Sequence, residues 1–158
     1  MIRMHHIMTL IVFALLESII IVDTPSVCWG ETCTATQADQ LGPFYKPDAP
    51  ERSVVGRGYI LTGRVKSSRD CAPINNAKIE FWLTGPDGNY GDDYRATIYS
   101  DTFGAYRFEC NKPKPYFGRP PHIHVRVSSG GFKTLVTQHY PEMNTNGDVL
   151  DLVLVPVK

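Results

Sequence analysis

Apolar and polar residues alternate along several short stretches of the chain, a period typical of half-buried β-strands. The alternation is clearest at residues 77–83 and 105–109. Four further stretches have the composition of strands: residues 60–65, 123–128, 134–140 and 149–157. No stretch carries a convincing helical period. The pattern therefore predicts six or more short strands.

Turn-forming residues separate the predicted strands. Gly, Pro, Asn and Asp are concentrated at residues 86–88, 101–104, 130–131 and 144–147, and such clusters mark turns. Short strands joined by turns indicate an all-β protein with a single β-sandwich domain. We expect the sandwich at residues 59–158, preceded by an irregular arm at 31–58 and a signal peptide at 1–30.

The N-terminal segment has the features of a secretory signal peptide. Arg3 precedes an apolar run at residues 7–22, which is shorter than the about 20 residues of a membrane span. Glu17 would also be costly inside a bilayer. We expect cleavage after Cys28 or Gly30 and export to the periplasm or medium. A retained membrane anchor and an unstructured apolar terminus are the alternatives.

The cysteines and the charge balance indicate which compartment, metal and partners to expect. Cys28, Cys33, Cys71 and Cys110 would meet oxidising conditions after export, so a disulfide is expected, although the sequence does not select the pair. None has CxxC spacing, which argues against a zinc site. Lys plus Arg and Asp plus Glu both number 16, so the net charge gives no reason to expect a nucleic acid or an anionic membrane as partner.

Two histidines at the start of a predicted strand are candidate metal ligands. His122 and His124 are two residues apart, and side chains at that spacing share one strand face. Pro120 and Pro121 fix the backbone that leads into the strand. The two imidazoles could bind one metal ion, although two solvent-facing histidines on an edge strand would give the same pattern.

Two tyrosines accompany the histidine pair. Tyr116 lies six residues before His122, and Tyr90 follows a turn at residues 87–89. Both are predicted to lie on connections between strands, where functional groups are often placed on a rigid scaffold. The other tyrosines are expected to be ordinary packing residues.

Taken in chain order, these motifs resemble those of the intradiol ring-cleavage dioxygenases, and most closely the protocatechuate 3,4-dioxygenase chains. The matching segments are Gly42-Pro43-Phe44-Tyr45, Trp82 with Gly88-Asn89-Tyr90, Ser100-Asp101-Thr102-Phe103-Gly104-Ala105-Tyr106-Arg107-Phe108, Lys112-Pro113-Lys114-Pro115-Tyr116, Arg119-Pro120-Pro121-His122-Ile123-His124 and Thr137-Gln138-His139-Tyr140. The resemblance extends from about Leu41 to Tyr140, and the export signal suggests the small secreted type.

The resemblance implies a mononuclear non-haem Fe(III) cofactor bound by Tyr90, Tyr116, His122 and His124. A free phenol has a pKa of about 10, and a nearby trivalent cation favours its deprotonation. Two anionic oxygen ligands in turn favour the ferric state. Such a site differs from the two-histidine, one-carboxylate sites of Fe(II) oxygenases.

The implied reaction takes a small aromatic diol and O2 and opens the ring between the two hydroxylated carbons, giving a cis,cis-muconate-type diacid. Tyr116 would leave the metal and accept a substrate proton. Arg119 would stabilise charge on the substrate, and Gln138 would orient the substrate or oxygen. The alternatives are a surface ion pair for Arg119 and a structural hydrogen bond for Gln138.

The spacing of these residues leaves the substrate open. Tyr90 and Tyr116 are 26 residues apart, and Tyr116 and His122 only six. Both spacings are shorter than in the enzymes that the chain resembles most, which predicts a more open pocket. Catechol, protocatechuate, hydroxyquinol and larger plant phenols all remain candidates, and the oligomeric state is also open.

Two other functions compete with the enzyme. Residues 63–65, 73–79 and 101–108 also resemble transthyretin-like and carboxypeptidase-regulatory-like sandwich modules, which implies a non-catalytic exported binding module. A copper- or zinc-binding exported protein that uses the two histidines is the second alternative. Neither requires Tyr116 together with the Arg119–His124 motif.

Overall fold

The computed structural model describes residues 33–142 and 144–158, and the regular structure in this part of the chain is β throughout. The strands are β1 (Tyr59–Ser67), β2 (Lys78–Thr84), β3 (Tyr90–Tyr99), β4 (Ala105–Cys110), β5 (Ile123–Ser128), β6 (Leu135–His139), β7 (Gly147–Val149) and β8 (Leu152–Leu154). The all-β prediction is confirmed. The predicted signal peptide lies outside the described residues, and none of the described segments forms a helix able to cross a membrane.

The strands form two sheets with a shared apolar core. One sheet has the order β3-β2-β5-β6, and the other has β4-β1-β7 with β8 also paired to β1. Alternate residues of β2 and β5 point into the core because side chains of a strand alternate between its faces. Phe81 of β2 stacks on Phe108 of β4 at 4.2 Å between ring centroids, which joins the two sheets.

Two parts of the strand prediction are wrong. Strand β3 was not predicted, because its first half is polar and exposed at Asp92 and Asp93. The single strand predicted at 149–157 is instead two short strands, β7 and β8, both parallel to β1. The pairing with β1 is interrupted between them at Leu150, whose carbonyl accepts a hydrogen bond from Tyr106 at 2.6 Å. A side chain at Gly63 would collide with that carbonyl, since its Cβ would lie 1.9 Å from the oxygen.

The arm that precedes β1 covers the outer face of the β3-β2-β5-β6 sheet. It contains no strand, and its backbone polar groups bond to the sheet instead. The Asp39 amide donates to the Val136 carbonyl, and the Phe44 carbonyl accepts from Arg95. Strand β2 is therefore buried on both faces, whereas its alternating sequence had predicted burial on one.

A disulfide connects the start of the described arm to the sandwich. Cys33 is bonded to Cys71, which lies in the connection between β1 and β2. Cys110 at the end of β4 is a buried free thiol. The pair that the sequence left undecided is therefore Cys33 with Cys71.

Candidate metal centre

The predicted site residues lie on the outer face of the β3-β2-β5-β6 sheet, beneath the arm. Trp82 of β2 is the direct cross-strand partner of His124 of β5, which in turn pairs with Gln138 of β6. Residues directly opposite one another on paired strands share a face. His122 immediately precedes β5 and is also buried. Register alone thus places His124 next to Gln138.

Three polar atoms converge at this position. The Tyr90 hydroxyl lies 3.1 Å from Nε2 of His122 and 3.1 Å from Nε2 of His124, and the two Nε2 atoms are 3.1 Å apart. Tyr90 is the first residue of β3 and not part of a loop, so its predicted location is corrected. It pairs with Thr84 just beyond a register shift in β2, and such irregularities re-aim side chains beside functional sites.

The separations of these atoms fit a single metal ion. Donors about 2.1 Å from one ion, at angles of about 90–110°, lie about 3.0–3.4 Å apart. Within residues 33–142 and 144–158, His, Cys, Asp and Glu alone provide no group of three ligands. The donor set therefore depends on phenol oxygen, which is a hard ligand suited to a hard trivalent cation.

The protonation states of the three groups also suit a cation. Burial lowers the pKa of His122, and it lowers the pKa of His124 to about 3, so both imidazoles are neutral at pH 7. Nδ1 of His122 donates to the Pro120 carbonyl at 2.8 Å, which leaves Nε2 as the electron-pair donor. Burial raises the pKa of Tyr90 to about 12, and a bound cation would act against that effect.

Tyr116 shares the cavity but stands apart from the three converging atoms. It lies between β4 and β5, on a connection as predicted, and its ring is 5.4 Å from the Tyr90 ring at an angle of 80°. Its hydroxyl has no hydrogen-bond partner in the described part of the chain. The structure thus brings all four predicted ligands to one cavity, three of them with their donor atoms in contact.

The cavity has a volume of about 240 Å³ and is walled mainly by the arm and the β4–β5 connection. Pockets for drug-sized ligands measure about 300–1,000 Å³, so this one suits a single ring. Phe44 of the arm stacks on Tyr90 at 4.3 Å between ring centroids. The wall residues besides the four candidate ligands are Gln40, Gly42, Pro43, Phe44, Phe117 and Arg119.

Arg119 reaches the cavity and is anchored by β6. Its Nη2 donates to the Gln138 side-chain oxygen at 2.9 Å and to the Tyr140 hydroxyl at 3.1 Å. Tyr140 also donates to Asp39, and the Gln138 amide nitrogen donates to the Gln40 carbonyl at 2.7 Å. Both ends of the Gln138 amide are therefore engaged in bonds that fix Arg119 and the arm.

The His124 ring is held between two surfaces. The Trp82 indole stacks on it at 4.8 Å between centroids with an interplanar angle of 4°. Gly42 approaches from the arm with φ +71°, and a Cβ there would lie 3.0 Å from Cε1 of His124. Only glycine adopts that backbone readily and leaves room for the ring.

Sequence reasoning did not identify the contribution of the arm. Gln40, Gly42 and Phe44 wall the cavity, yet they were assigned no role. The Gly42-Pro43-Phe44-Tyr45 segment was the available signal, because it matches a family motif outside any predicted strand. Phe117 was also missed, since nothing in the sequence pattern shows that its ring faces outward.

Comparison with known proteins relates the chain to ring-cleaving enzymes, although no family model matches it. The chain is 31% identical over 147 residues to a catechol 1,2-dioxygenase of Candida albicans, which covers 70% of this chain and 48% of that protein. It is 31% identical over 136 residues to a hydroxyquinol 1,2-dioxygenase of Rhodococcus opacus, with 65% and 45% covered. The chain thus spans about half the length of these curated relatives.

Solved structures share the fold. An intradiol ring-cleavage dioxygenase from Tetranychus urticae has a TM-score of 0.72 at 18% identity, covering 80% of this chain and 97% of that one. The dioxygenase domain of a dioxygenase and carbohydrate-binding fusion from Streptomyces sp. SirexAA-E has a TM-score of 0.71 at 24% identity, covering 78% and 100%.

The fold is thus the all-β sandwich that these dioxygenase structures share. Together with the sequence relatives, this shared fold supports placing the chain in the intradiol ring-cleavage dioxygenase family. The closer likeness to protocatechuate chains stays a prediction, since the curated relatives described above are named for catechol and hydroxyquinol.

Proposed function

We propose that this chain is an intradiol dioxygenase that uses mononuclear non-haem Fe(III) and O2 to open a catechol-type ring between its two hydroxylated carbons. The product is a cis,cis-muconate-type diacid. The observation that carries the proposal is the convergence of the Tyr90 hydroxyl with Nε2 of His122 and of His124. Family membership supports it independently.

Tyr90, Tyr116, His122 and His124 are the proposed ligands. A ferric ion bound there would supply Lewis acidity toward the diol. The two neutral imidazoles and the Tyr90 oxygen are the fixed ligands, because β-strand pairing and stacking hold them. Tyr116 stands apart from the three converging atoms, and as a tyrosinate it would take one of the two diol protons.

Arg119 is proposed to stabilise negative charge on the substrate. Its two anchoring bonds both use Nη2, so the other guanidinium donors can face a substrate oxygen. Gln138 acts as a positioning residue through its bond to Arg119. This combines the two roles weighed for Gln138, since a structural hydrogen bond here aligns a group of the site.

Export is proposed for the chain on two grounds. Residues 1–30 carry the pattern of a signal peptide. The Cys33–Cys71 disulfide also suits an oxidising compartment such as the periplasm or the medium. A membrane would be a partner only if the N-terminal segment were retained.

The test is iron loading of the purified protein followed by oxygen uptake with a panel of catechols. We expect a visible charge-transfer band from tyrosinate bound to Fe(III), and uptake of O2 with a muconate-type product spectrum. Tyr90→Phe and His122→Ala should each lose iron or turnover. Tyr99→Phe, at the far end of β3 and 43% exposed, is the matched control and should keep both.

Other outcomes would favour the alternatives. A colourless protein that binds no iron would support the non-catalytic sandwich module, and a colourless protein that binds zinc would support a different metal protein. Full iron content and full turnover in Tyr90→Phe would remove Tyr90 from the ligand set.

A further inference from the structure

A row of aromatic rings leads from the candidate metal centre to the protein surface. Tyr90 stacks on Phe44, and Phe44 meets the Tyr116 ring edge-on at 5.1 Å between centroids. Tyr116 then meets Phe117 edge-on at 4.9 Å. The first ring is beside the histidine pair, whereas the last is 90% exposed. The row forms one continuous aromatic wall of the cavity.

Phe117 occupies a backbone position that does not suit it. The Tyr116 and Arg119 backbones exchange hydrogen bonds of 3.3 and 2.9 Å around a two-residue turn. Phe117 has φ +47° and Gly118 has φ +74°, as in a type I′ turn, where Asn, Asp or Gly is favoured at the first position. A bulky residue with positive φ is unusual, and such strain is found mainly at functional sites.

Burial in the folded protein does not explain why position 117 carries a phenylalanine. It is the most exposed of the large hydrophobic side chains in the described chain, so burial does not stabilise it there. Phe103, 67% exposed at the opposite end of the sandwich, has no part in this cavity. The distinguishing property of Phe117 is that its ring stands at the cavity wall, held edge-on by Tyr116.

We propose that Phe117 forms an aryl subsite, which selects catechols that carry a second aromatic ring as a substituent. The inference rests on the proposed function and names the substrate class of that site. The cavity of about 240 Å³ accommodates the diol ring, and a substituent that leaves the mouth meets the exposed Phe117 ring. The contact between the substituent ring and Phe117, together with the apolar area that it buries, gives about a tenfold gain in affinity.

The test is an anaerobic calorimetric titration of the iron-loaded protein with two probes, catechol and 3,4-dihydroxybiphenyl. The wild-type protein should bind the biphenyl about tenfold more tightly than catechol. Phe117→Asn should abolish this preference, because asparagine fits the turn but offers no ring. Phe117→Tyr, which keeps the ring, and Phe103→Ala, at the distant turn, should retain the preference.

Equal wild-type affinities for the two probes would overturn the inference, and so would a preference that survives Phe117→Asn. Calorimetry in the absence of O2 depends on neither colour nor turnover. A protein that shows the preference but consumes no O2 with any diol would therefore contradict the proposed function while supporting the aryl subsite.

Discussion

At the scale of single residues, the neighbours of the two histidines decide which ring atoms are available to a metal. The Pro120 carbonyl accepts from Nδ1 of His122, and the Trp82 indole and Gly42 confine the His124 ring. Both Nε2 atoms are thereby directed to the Tyr90 oxygen. The ligands are positioned by the protein fold itself, and that arrangement is needed for precise metal geometry.

Arg119 is expected to act in turnover and not in iron binding. Arg119→Ala should keep the iron content and the visible band, because Arg119 is not a proposed ligand, and should lower turnover about 10²–10³-fold, as does removal of one preorganised donor. Oxygen uptake and iron analysis measure the two effects. Arg107→Ala, at a surface ion pair with Glu109, is the matched control. Unchanged turnover in Arg119→Ala would remove Arg119 from the mechanism.

The candidate ligands were suggested by the resemblance to the dioxygenase motifs, and local spacing indicated where two parts of the set lie. The two-residue interval of His122 and His124 identifies a shared strand face, and the prolines around Tyr116 identify a connection. The contact of Phe44 with Tyr90 could not be predicted in this way. The two residues are far apart in the chain, and Phe44 lies on a segment without periodicity, so no local pattern indicates which surface it covers.

At the scale of elements, the arm functions as part of the sheet that it covers. Its polar groups are satisfied by bonds to β2, β3 and β6, including Tyr45 to Glu80 at 3.1 Å and Thr97 to the Ala49 carbonyl at 2.8 Å. A segment that packs on a sheet without strand pairing is stable only if its inward-facing backbone groups find such partners. The arm was expected to be irregular, but its role in burying the outer face was not evident from the sequence.

Gly42→Ala tests the contribution of the arm. The substitution should cost about 1–2 kcal/mol for the left-handed backbone and more for the contact with His124. Gly131→Ala is the matched control, because Gly131 has φ +80° with nothing within 4 Å of an added Cβ. Urea unfolding and iron titration should show a loss of iron affinity only in Gly42→Ala. Equal effects of the two substitutions would show that Gly42 does not support the site.

The incorrect strand predictions have a physical basis at this scale as well. The exposed first half of β3 lacks the apolar alternation that a half-buried strand shows. At the interruption, the Leu150 carbonyl lies so close to Gly63 that a side chain there would collide with it, and it accepts a hydrogen bond from the Tyr106 hydroxyl. Both partners lie more than 40 positions away, beyond any local signal.

At the scale of the whole molecule, the disulfide closes a loop of 38 residues between Cys33 and Cys71. The cross-link lowers the conformational entropy of the unfolded chain, which should stabilise the folded protein by about 4 kcal/mol. Cys33→Ser should lower the free energy of unfolding by that amount in urea titrations. The double variant Cys33→Ser/Cys71→Ser should match the single one. A loss below about 1 kcal/mol would contradict the loop-entropy argument.

A buried hydrogen bond between the sheets predicts the pH dependence of stability. The Tyr59 hydroxyl of β1 lies 2.6 Å from Nε2 of His139 on β6. Burial raises the pKa of Tyr59 to about 12 and lowers that of His139 below its usual 6.5, so the phenol donates to a neutral imidazole. Below pH 6.5 the unfolded chain binds a proton that the folded chain excludes.

The contribution of His139 to stability is therefore complete above about pH 6.5 and is lost as the pH falls toward its folded pKa. The melting temperature should fall more steeply between pH 7.5 and 5.5 in the wild type than in His139→Gln, which accepts the same hydrogen bond without titrating. Parallel pH profiles for the two proteins would argue against a neutral buried His139.

The candidate metal centre lies outside the apolar core, between a sheet and the arm that covers it. Phe81, Val125 and Phe108 hold the sandwich together on the other side of that sheet. Residues 37–45 could consequently be replaced, as one cassette, by the equivalent stretch of a relative without repacking the interior. The cavity wall that this arm provides can then change without a change in the sandwich core, whereas Phe117 lies on the separate β4–β5 connection.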